Sequence, residues 1–178
     1  MAWAAKTDGA FERQGRADTW AALEEARAAG KCKFIGVSNY SPALLREMEG
    51  YATDCMPCIN QLELHPRFSS PSLRTYAEQT GLVLTGYGSG NSVSNRQSLF
   101  ISGLRVGPAT MLISCRTQVA IERSPVVSAI AERLNASAVA VVLRWTLARN
   151  VVIIPRTANP DKIVENITVG TCSIASRV

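Results

Sequence analysis

Two short stretches, Phe34-Ile35-Gly36-Val37-Ser38-Asn39 and Val151-Val152-Ile153-Ile154-Pro155-Arg156-Thr157, decide the fold of this 178-residue chain. Each is an apolar run that ends abruptly in small polar or cationic residues. Buried parallel strands have this pattern, and α/β enzymes keep their ligand sites at the rim where such strands end. The two stretches therefore predict parallel strands that deliver polar groups to the rim of a sheet or barrel.

The composition is that of a globular chain without a nucleic-acid signature. With 47% hydrophobic residues, the chain is long enough to form one substantial core. The formal net charge of +5 comes from 19 Lys and Arg against 14 Asp and Glu. A nucleic-acid surface needs clustered cations with interleaved aromatic residues, and the sequence has no such cluster. We expect no nucleic-acid partner, whereas a small anionic ligand is compatible with the charge.

The sequence contains no recognisable targeting or membrane segment. The first nine residues lack a signal-peptide pattern, and no apolar run approaches the ~20 residues of a membrane span. We therefore expect a cytoplasmic location and no membrane partner. Five Cys, an odd number, argue against a complete disulfide framework. The pair in Cys55-Met56-Pro57-Cys58 is interpreted as two ordinary thiols beside a strand, with a redox or metal role as the alternative.

Helical and strand patterns alternate along the chain. The predicted strands are 33–37, 58–64, 82–87 and 151–155. The predicted helices begin at the N-caps Asp18, Ser41, Ser70 and Asn159 and also cover 125–134 and 138–149. Such alternation indicates βα units and a parallel sheet.

Residues 91–123 interrupt this alternation. From residue 95 to 123 the chain has four Arg, one acid (Glu122) and an isolated apolar run, Met111-Leu112-Ile113. A structureless loop of this length is uncommon in a compact domain. Three interpretations stay open: a functional lid, an insertion, or sequence foreign to the fold.

Polar side chains stand at the ends of the first three predicted strands. Ser38 and Asn39 follow the first strand, and Gln61 shares one face of the second with Glu63. Tyr87 ends the third strand. A neutral amide inside a barrel usually hydrogen-bonds a partner. The alternatives are that Ser38 and Asn39 only form a turn and that Tyr87 is a core aromatic.

A second polar cluster follows the fourth predicted strand. Arg156 and Thr157 end this strand, and Lys162 lies one turn into the next helix. A cation, a hydroxyl and a helix N-terminus together make a phosphate site. Barrel enzymes often bind phosphate after the last strand. Taken alone, Arg156 is equally consistent with an ordinary surface charge. The combination of polar residues at successive strand ends favours a ligand site.

Several motifs follow one another in a highly specific order. They are Thr19-Trp20-Ala21-Ala22-Leu23-Glu24, Gly30-Lys31, Ile35-Gly36-Val37-Ser38-Asn39-Tyr40, Asn60-Gln61-Leu62-Glu63-Leu64-His65-Pro66, Leu143-Arg144-Trp145, and Ile154-Pro155-Arg156-Thr157 with Ile163-Val164-Glu165-Asn166. From about residue 18 to 169, outside 91–123, the sequence resembles the aldo-keto reductase family. The resemblance implies an α/β fold, a TIM barrel of parallel (β/α) units. It also implies an extended NADPH, with NADH as the alternative, and hydride transfer to an aldehyde or ketone.

The resemblance implies that four residues bind the nicotinamide. Ser38, Asn39 and Gln61 would hold its carboxamide, and Tyr87 would stack on its ring. The family's Ser-Pro-Leu after this Tyr is replaced here by 88–90, Gly-Ser-Gly. The family's contact to the cofactor pyrophosphate is therefore not carried over.

The resemblance implies that five residues bind the adenosine. Arg156, Thr157 and Lys162 would hold its 2′-phosphate, and Glu165 and Asn166 would bind the adenine. Arg156 and Thr157 stand where the family usually has Lys-Ser, and Lys162 stands where it has Arg. Because Lys is a point charge where Arg is a bidentate fork, this exchange predicts weaker discrimination between NADPH and NADH.

The chain carries only part of the family's pattern. By the resemblance it supplies strands 5–8 of an eight-stranded barrel over residues 19–170, after a polar lead (1–18) and before a tail (171–178). Met1-Ala2-Trp3 resembles the loop just after the strand that bears the family's catalytic His. The family's catalytic Asp, Tyr, Lys and His stand at the ends of earlier strands. We therefore expect no catalytic residue and no metal ligand here, and we interpret His65 as structural.

Three interpretations of function stay open. The first is an NADPH-dependent reductase in truncated form, with low or no activity because no acid is present to protonate the developing alkoxide. The second is a non-catalytic half-barrel that binds cofactor or associates with itself through exposed strand edges. The third is an incomplete sequence that lacks its upstream strands and retains foreign residues in 91–123.

Overall fold

A computed structural model describes residues 9–88, 121 and 124–170. In chain order the elements are α1 (Gly9–Ala28), β1 (Gly36–Ser38), α2 (Pro42–Met48), β2 (Ile59–Glu63), α3 (Pro71–Thr80), β3 (Val83–Tyr87), α4 (Pro125–Leu134), α5 (Ala138–Leu147), β4 (Val151–Ile153) and α6 (Pro160–Thr168). The strands form one sheet in the order β1-β2-β3-β4. The predicted fold class, a parallel four-stranded sheet with alternating helices as in a partial (β/α) barrel, is confirmed. Nearly all of the 91–123 stretch lies outside the described residues.

The close approach of β1 and β2 depends on a glycine. The two strands are parallel, with Gly36 opposite Ile59 and Ser38 opposite Gln61. A Cβ added at Gly36 would lie 2.6 Å from the carbonyl oxygen of Ile59 and would overlap its side chain. Glycine in a strand often marks such a close backbone approach. A larger residue at this position would force the two strands apart.

The outer two strands are shorter than their apolar runs predict. β1 covers 36–38 where 33–37 was predicted, and β4 covers 151–153 where 151–155 was predicted. Phe34, within the predicted first strand, is 77% exposed and precedes the paired residues. An apolar run marks candidate strand residues, but only those that hydrogen-bond to a neighbouring strand form the ladder. β2 and β3 agree with their predicted bounds to within one residue.

The local signals for helix starts are largely confirmed. The Ser41 hydroxyl accepts a hydrogen bond from Leu44 N at 3.3 Å, and Pro42 occupies the first turn of α2. The predicted bounds of α4 are confirmed. Ser70 precedes α3 as predicted, but it has a φ of +40° and its side chain makes no capping hydrogen bond. Serine followed by proline thus predicted where these helices begin, because the capping chemistry is local.

The prediction that Asp18 caps the first helix is wrong. α1 begins at Gly9, and Asp18 lies within it, accepting a hydrogen bond from Gln14 Nε2 at 2.7 Å. Arg16 donates hydrogen bonds of 2.8–3.0 Å to Glu47 of α2. This contact ties the polar first half of α1 to a neighbouring helix, which the local sequence pattern does not reveal.

The division of the chain into a polar lead, a domain and a tail stays a prediction.

The chain divides into two compact units, each with its own buried residues. The first comprises Met1–Glu63 with Ser70–Thr85, and the second comprises Leu64–Ser69 with Gly86–Val178. Large buried side chains of the first unit are Trp20, Leu45, Met48, Leu62, Leu73, Tyr76 and Leu84. In the second unit one cluster consists of Ile121, Val127, Ala131, Val141 and Val142, and another of Ala140, Leu143 and Val169.

A buried carboxylate, Glu24, holds the loop of residues 53–55. Its side chain accepts hydrogen bonds of 2.8–3.1 Å from the three backbone amides of this loop. The Thr53 hydroxyl and the Trp20 indole also donate to it, at 2.7 and 3.1 Å. Burial raises the pKa of Glu24, but these hydrogen bonds outweigh burial and lower the pKa to about 2. Glu24 therefore stabilises the loop as an anion.

We expect Glu24→Ala to lower the free energy of unfolding at pH 7 by about 3 kcal/mol, because three backbone amides lose a charged acceptor. The folded-state pKa of about 2 lies below the ordinary value of 4.5. The stabilisation is therefore complete above pH 4.5 and is lost as the pH falls towards 2. Urea unfolding of wild type and variant at several pH values measures this difference.

The matched control is Glu25→Ala, which removes an exposed carboxylate from the same helix. We expect it to change the free energy of unfolding by less than about 0.5 kcal/mol. A wild-type advantage over Glu24→Ala that stayed constant from pH 7 to pH 2.5 would contradict the role given to the carboxylate.

Candidate functional site

The pairing of β1 with β2 brings three predicted site residues together. The Ser38 hydroxyl donates to the backbone carbonyl oxygen of Gln61 at 2.8 Å. The backbone N–H of Asn39 donates to the same oxygen at 2.9 Å. Asn39 Nδ2 lies 3.2 Å from Ser38 Oγ and donates to it. All three side chains are exposed, Ser38 and Asn39 at the carboxyl end of β1 and Gln61 in the middle of β2. The structure thus joins the Ser38 hydroxyl and the Asn39 side-chain amide at the end of β1 and anchors them to the backbone of Gln61.

The turn after β1 has a left-handed residue. Asn39 has a φ of +61°, a region that residues with a Cβ rarely adopt but that Asn tolerates better than most. The backbone of the next residue, Tyr40, is bound on both sides by the side chain of Asn60. Asn60 Nδ2 donates to Tyr40 O at 2.9 Å, and Tyr40 N donates to Asn60 Oδ1 at 3.3 Å.

Asn60, part of the Asn60–Pro66 motif, has a role that the sequence pattern alone does not assign. It is fully buried, on the face of β2 opposite to Gln61. One feature of the sequence could have indicated this role: Asn60 is an amide residue at a position that strand alternation assigns to the buried face of β2. Because buried polar groups are hydrogen-bonded in nearly all proteins, an amide at such a position indicates a specific partner.

Tyr87 and His65 stand at the ends of β3 and β2. Tyr87 is partly buried, and its carbonyl oxygen accepts a hydrogen bond of 3.1 Å from Leu64 N. Gly88, with a φ of +76°, turns the chain directly after it. His65 is buried, and its backbone exchanges hydrogen bonds of 3.3 and 2.8 Å with Phe68. Residues 89 and 90, part of the altered turn after Tyr87, lie outside the described residues.

The second predicted cluster forms around the start of α6. The side chain of Asn159 accepts hydrogen bonds from Asp161 N at 2.9 Å and Lys162 N at 3.4 Å, so it caps the helix as predicted. The Thr157 hydroxyl accepts one from Asn159 N at 3.2 Å. Arg156 is exposed just before this turn. Arg156, Thr157 and Lys162 thus lie within seven consecutive residues around one helix N-terminus.

Lys162 of this cluster is already paired with Glu165, one turn further along α6. Lys162 Nζ donates to Glu165 Oε2 at 2.7 Å. The hydrogen bond from Lys162 and a second from Ser137 lower the pKa of Glu165, despite some burial. Ser137 is itself the N-cap of α5, where its hydroxyl accepts a hydrogen bond from Ala140 N at 3.1 Å. Glu165 therefore links α6 to the start of α5, a structural role that sequence reasoning missed.

An open cavity of about 290 Å³ lies beside α6. Its lining consists of Ile153, Pro155, Thr157, Ile163, Asn166 and Ile167. Asn166 Oδ1 is buried and has no hydrogen-bond partner among the described residues. The wall therefore combines aliphatic side chains with two polar residues, Thr157 and Asn166. Such a surface suits a flat, apolar ligand that offers a hydrogen-bond donor at its edge.

Comparison with known proteins identifies the family. The sequence profile of the aldo/keto reductase family matches residues 2–176. The chain belongs to the aldo/keto reductase family. This confirms the resemblance inferred from the ordered motifs.

Individual members of the family match most of this aldo/keto reductase chain. The NAD(P)H-dependent D-xylose reductase I,II of Candida tropicalis is 33% identical over 85% of the chain and 43% of its own length. The NAD(P)H-dependent D-xylose reductase of Candida tenuis is 34% identical over 84% of the chain and 42% of its own length. A probable NAD(P)H-dependent D-xylose reductase of Aspergillus terreus is 29% identical over 94% and 49%. The chain thus spans less than half the length of each of these relatives.

Both residues of the Cys55-x-x-Cys58 motif take part in local hydrogen bonding, Cys58 through its thiol and Cys55 through its backbone. Cys58 Sγ donates to Ile35 O at 3.0 Å. The backbone of Cys55 binds Glu24 and Trp20, and burial raises the pKa of the Cys55 thiol. In the described part of the chain, no group of three His, Cys, Asp or Glu residues is arranged to hold a metal ion.

Within the described ranges no single helix is long and apolar enough to cross a membrane. The helices α4 and α5 reach that length and composition only as a pair, which is bent by 93°. Both helices contribute buried residues to the cluster around Val127 and Val142.

We expect Asn159→Ala to destabilise the start of α6 by about 1 kcal/mol, because two backbone amides lose their capping acceptor. Asn159→Asp, which keeps the acceptor oxygen, should remain within about 0.5 kcal/mol of wild type. Amide hydrogen exchange at Asp161, Lys162 and Ile163 measures the effect. Faster exchange in both variants, or in neither, would contradict the cap.

Proposed function

We propose that this chain supplies the cofactor-binding residues of an NADPH-dependent aldo/keto reductase that reduces an aldehyde or ketone to the alcohol. The observation that carries the proposal is the pair of polar clusters at strand ends, one at β1 and β2 and the other between β4 and α6. The relatives named as NAD(P)H-dependent reductases support it. When bound, the reduced nicotinamide supplies a hydride.

The first cluster suits the nicotinamide. A carboxamide needs both a donor and an acceptor, and hydroxyl and amide groups are offered by Ser38 and Asn39 at the end of β1 and by Gln61 on the paired strand β2. Tyr87, partly buried at the end of β3, is the proposed stacking partner of the ring. These contacts would orient the ring and leave the chemistry to the cofactor.

The second cluster suits the adenosine 2′-phosphate and adenine. Arg156 and Lys162 offer positive charge, and Thr157 a hydroxyl, beside a capped helix N-terminus. Asn166 lines the cavity, and its buried Oδ1, which has no hydrogen-bond partner among the described residues, is the proposed acceptor for the exocyclic amino group of adenine. Glu165 stands next to it in the chain, and the proposed adenine contact must coexist with its bonds to Lys162 and Ser137.

The same ion pair bears on the choice of cofactor. Lys162 must share its charge between Glu165 and a 2′-phosphate. A shared lysine discriminates the phosphate less than a bidentate arginine does. We therefore place NADPH first and keep NADH as a second cofactor.

We further propose that the 178 residues tested alone turn over little or no substrate. By the family's pattern, the Asp, Tyr, Lys and His that protonate and stabilise the alkoxide have no counterparts among these residues. General acid catalysis contributes roughly 10²–10⁴-fold in rate, and electrostatic stabilisation a comparable or larger factor. Cofactor binding without efficient turnover is the expected behaviour. The cytoplasmic location stays a prediction.

A second candidate function is a non-catalytic half-barrel that binds cofactor or associates with itself. It is favoured by large apolar side chains left exposed in the first unit, Phe34 at 77% and Val83 at 45%. β1 is also an edge strand of the sheet, and exposed edges promote pairing with another chain. Light scattering after size exclusion tests it. A monomer at all concentrations would exclude self-association.

We expect Arg156→Ala to weaken NADPH binding about tenfold and to leave NADH binding unchanged, since only NADPH carries the 2′-phosphate. Nucleotide fluorescence titration of the purified chain gives both dissociation constants. Arg133→Ala, which removes an exposed arginine from α4, is the control and should change neither.

The same preparation is then assayed for NADPH oxidation with a panel of aldehydes and ketones. Turnover at ordinary enzymatic rates, roughly 1–10³ per second, would contradict the proposed inactivity of the isolated chain. A wild-type chain that binds neither nucleotide would contradict the proposed function.

A further inference from the structure

We infer that Asn60 is a positioning residue for the nicotinamide end of the site, holding the turn at residues 38–40 in the shape that presents Ser38 and Asn39. What the turn binds rests on the proposed function. How the turn is held is a matter of this chain's own hydrogen bonds.

The side chain of Asn60 acts as a substitute for a strand partner. Its Nδ2 donates to Tyr40 O at 2.9 Å, and its Oδ1 accepts from Tyr40 N at 3.3 Å. Tyr40 lies two residues beyond the end of β1. Asn60 therefore satisfies the donor and the acceptor of a backbone unit just where the ladder has stopped. Because Asn60 is fully buried, water does not compete for these hydrogen bonds.

The strained residue of the turn lies between two anchors. Asn39 has a φ of +61°, and such backbone persists only where the surrounding structure holds it. On one side, Asn39 N is bound to Gln61 O at 2.9 Å. On the other side, Asn60 binds the backbone of Tyr40. Two adjacent residues of β2 thus fix the turn, one through its backbone and the other through its buried side chain.

Because side chains alternate between the two faces of a strand, Asn60 and Gln61 have different roles. Asn60 and Gln61 lie on opposite faces of β2, so that Asn60 is buried while the Gln61 side chain is exposed with Ser38 and Asn39. Asn60 acts on this turn through its two hydrogen bonds to the backbone of Tyr40. Removing the Asn60 carboxamide should therefore alter the cluster without removing any of its side chains.

The test compares two ligands on the full 178-residue chain. NADPH would use both clusters, whereas adenosine 2′,5′-bisphosphate carries the 2′-phosphate and adenine but no nicotinamide. Asn60→Leu removes both hydrogen bonds to Tyr40. We expect it to weaken NADPH binding about tenfold and to leave bisphosphate binding within about twofold of wild type. Fluorescence and calorimetric titrations give the dissociation constants.

Two further variants separate positioning from stability. Asn60→Asp keeps the acceptor for Tyr40 N and should give an intermediate loss of NADPH affinity; it also carries the test if Asn60→Leu does not fold. Leu62→Ala removes a buried side chain from the same face of β2, 5% exposed. It should lower stability and leave both affinities unchanged. Amide hydrogen exchange at Tyr40 should be faster in Asn60→Leu than in Asn60→Asp or Leu62→Ala.

The outcomes are distinguishable. NADPH affinity that is unchanged in Asn60→Leu, or equal losses for both ligands, would overturn the positioning role. A wild-type chain that binds neither ligand would instead refute the proposed function, and with it the ligand assigned to the turn. In that case the amide hydrogen exchange rate of Tyr40 still decides whether Asn60 holds the turn. An unchanged rate in Asn60→Leu would overturn this role, and a faster rate would support it.

Discussion

The contact between Gly36 and Ile59 is the constraint on which the first cluster depends. Only a residue without a Cβ lets the two backbones come this close, and the resulting register sets Ser38 opposite Gln61. A slip by one residue would turn Gln61 to the buried face and Asn60 to the open one. The cluster of exposed hydroxyl and amide groups is thus a consequence of how two strands pair.

The first cluster depends on a pair of strands, whereas the second cluster depends on the start of a helix. Asn159 caps α6, and the cap orients the turn that carries Thr157 and Lys162. Glu165, in the middle of the same helix, pairs with Lys162 and binds Ser137 at the start of α5. Each cluster is therefore held by groups that do not belong to the proposed ligand contacts, Asn60 in one and Asn159 in the other. Proposed ligand-binding side chains at both clusters stand on backbone that is fixed by its own hydrogen bonds.

The sequence predicted best those features that depend on neighbouring residues. Serine or asparagine before proline marked helix starts correctly at Pro42 and Pro160, because a capping side chain and its amide lie within three residues. The prediction of a helix start failed at Asp18, because this favourable cap residue lies inside a longer helix. The decisive contact there joins Arg16 to Glu47, which is 31 residues away. Glu24 was overlooked for the same reason, since its partners lie at residues 53–55.

The sequence by itself determined the family, the parallel α/β class and the identity of the polar residues at the strand ends, since these depend on local pattern and motif order. Only the tertiary structure decided which groups meet. It brought Ser38 to the Gln61 carbonyl and gave Asn60 and Glu165 their partners, and it left Asn166 Oδ1 buried without a hydrogen-bond partner among the described residues. The physical reason is that hydrogen bonds and burial depend on distances between residues far apart in the chain. Those distances are set by strand register and helix packing.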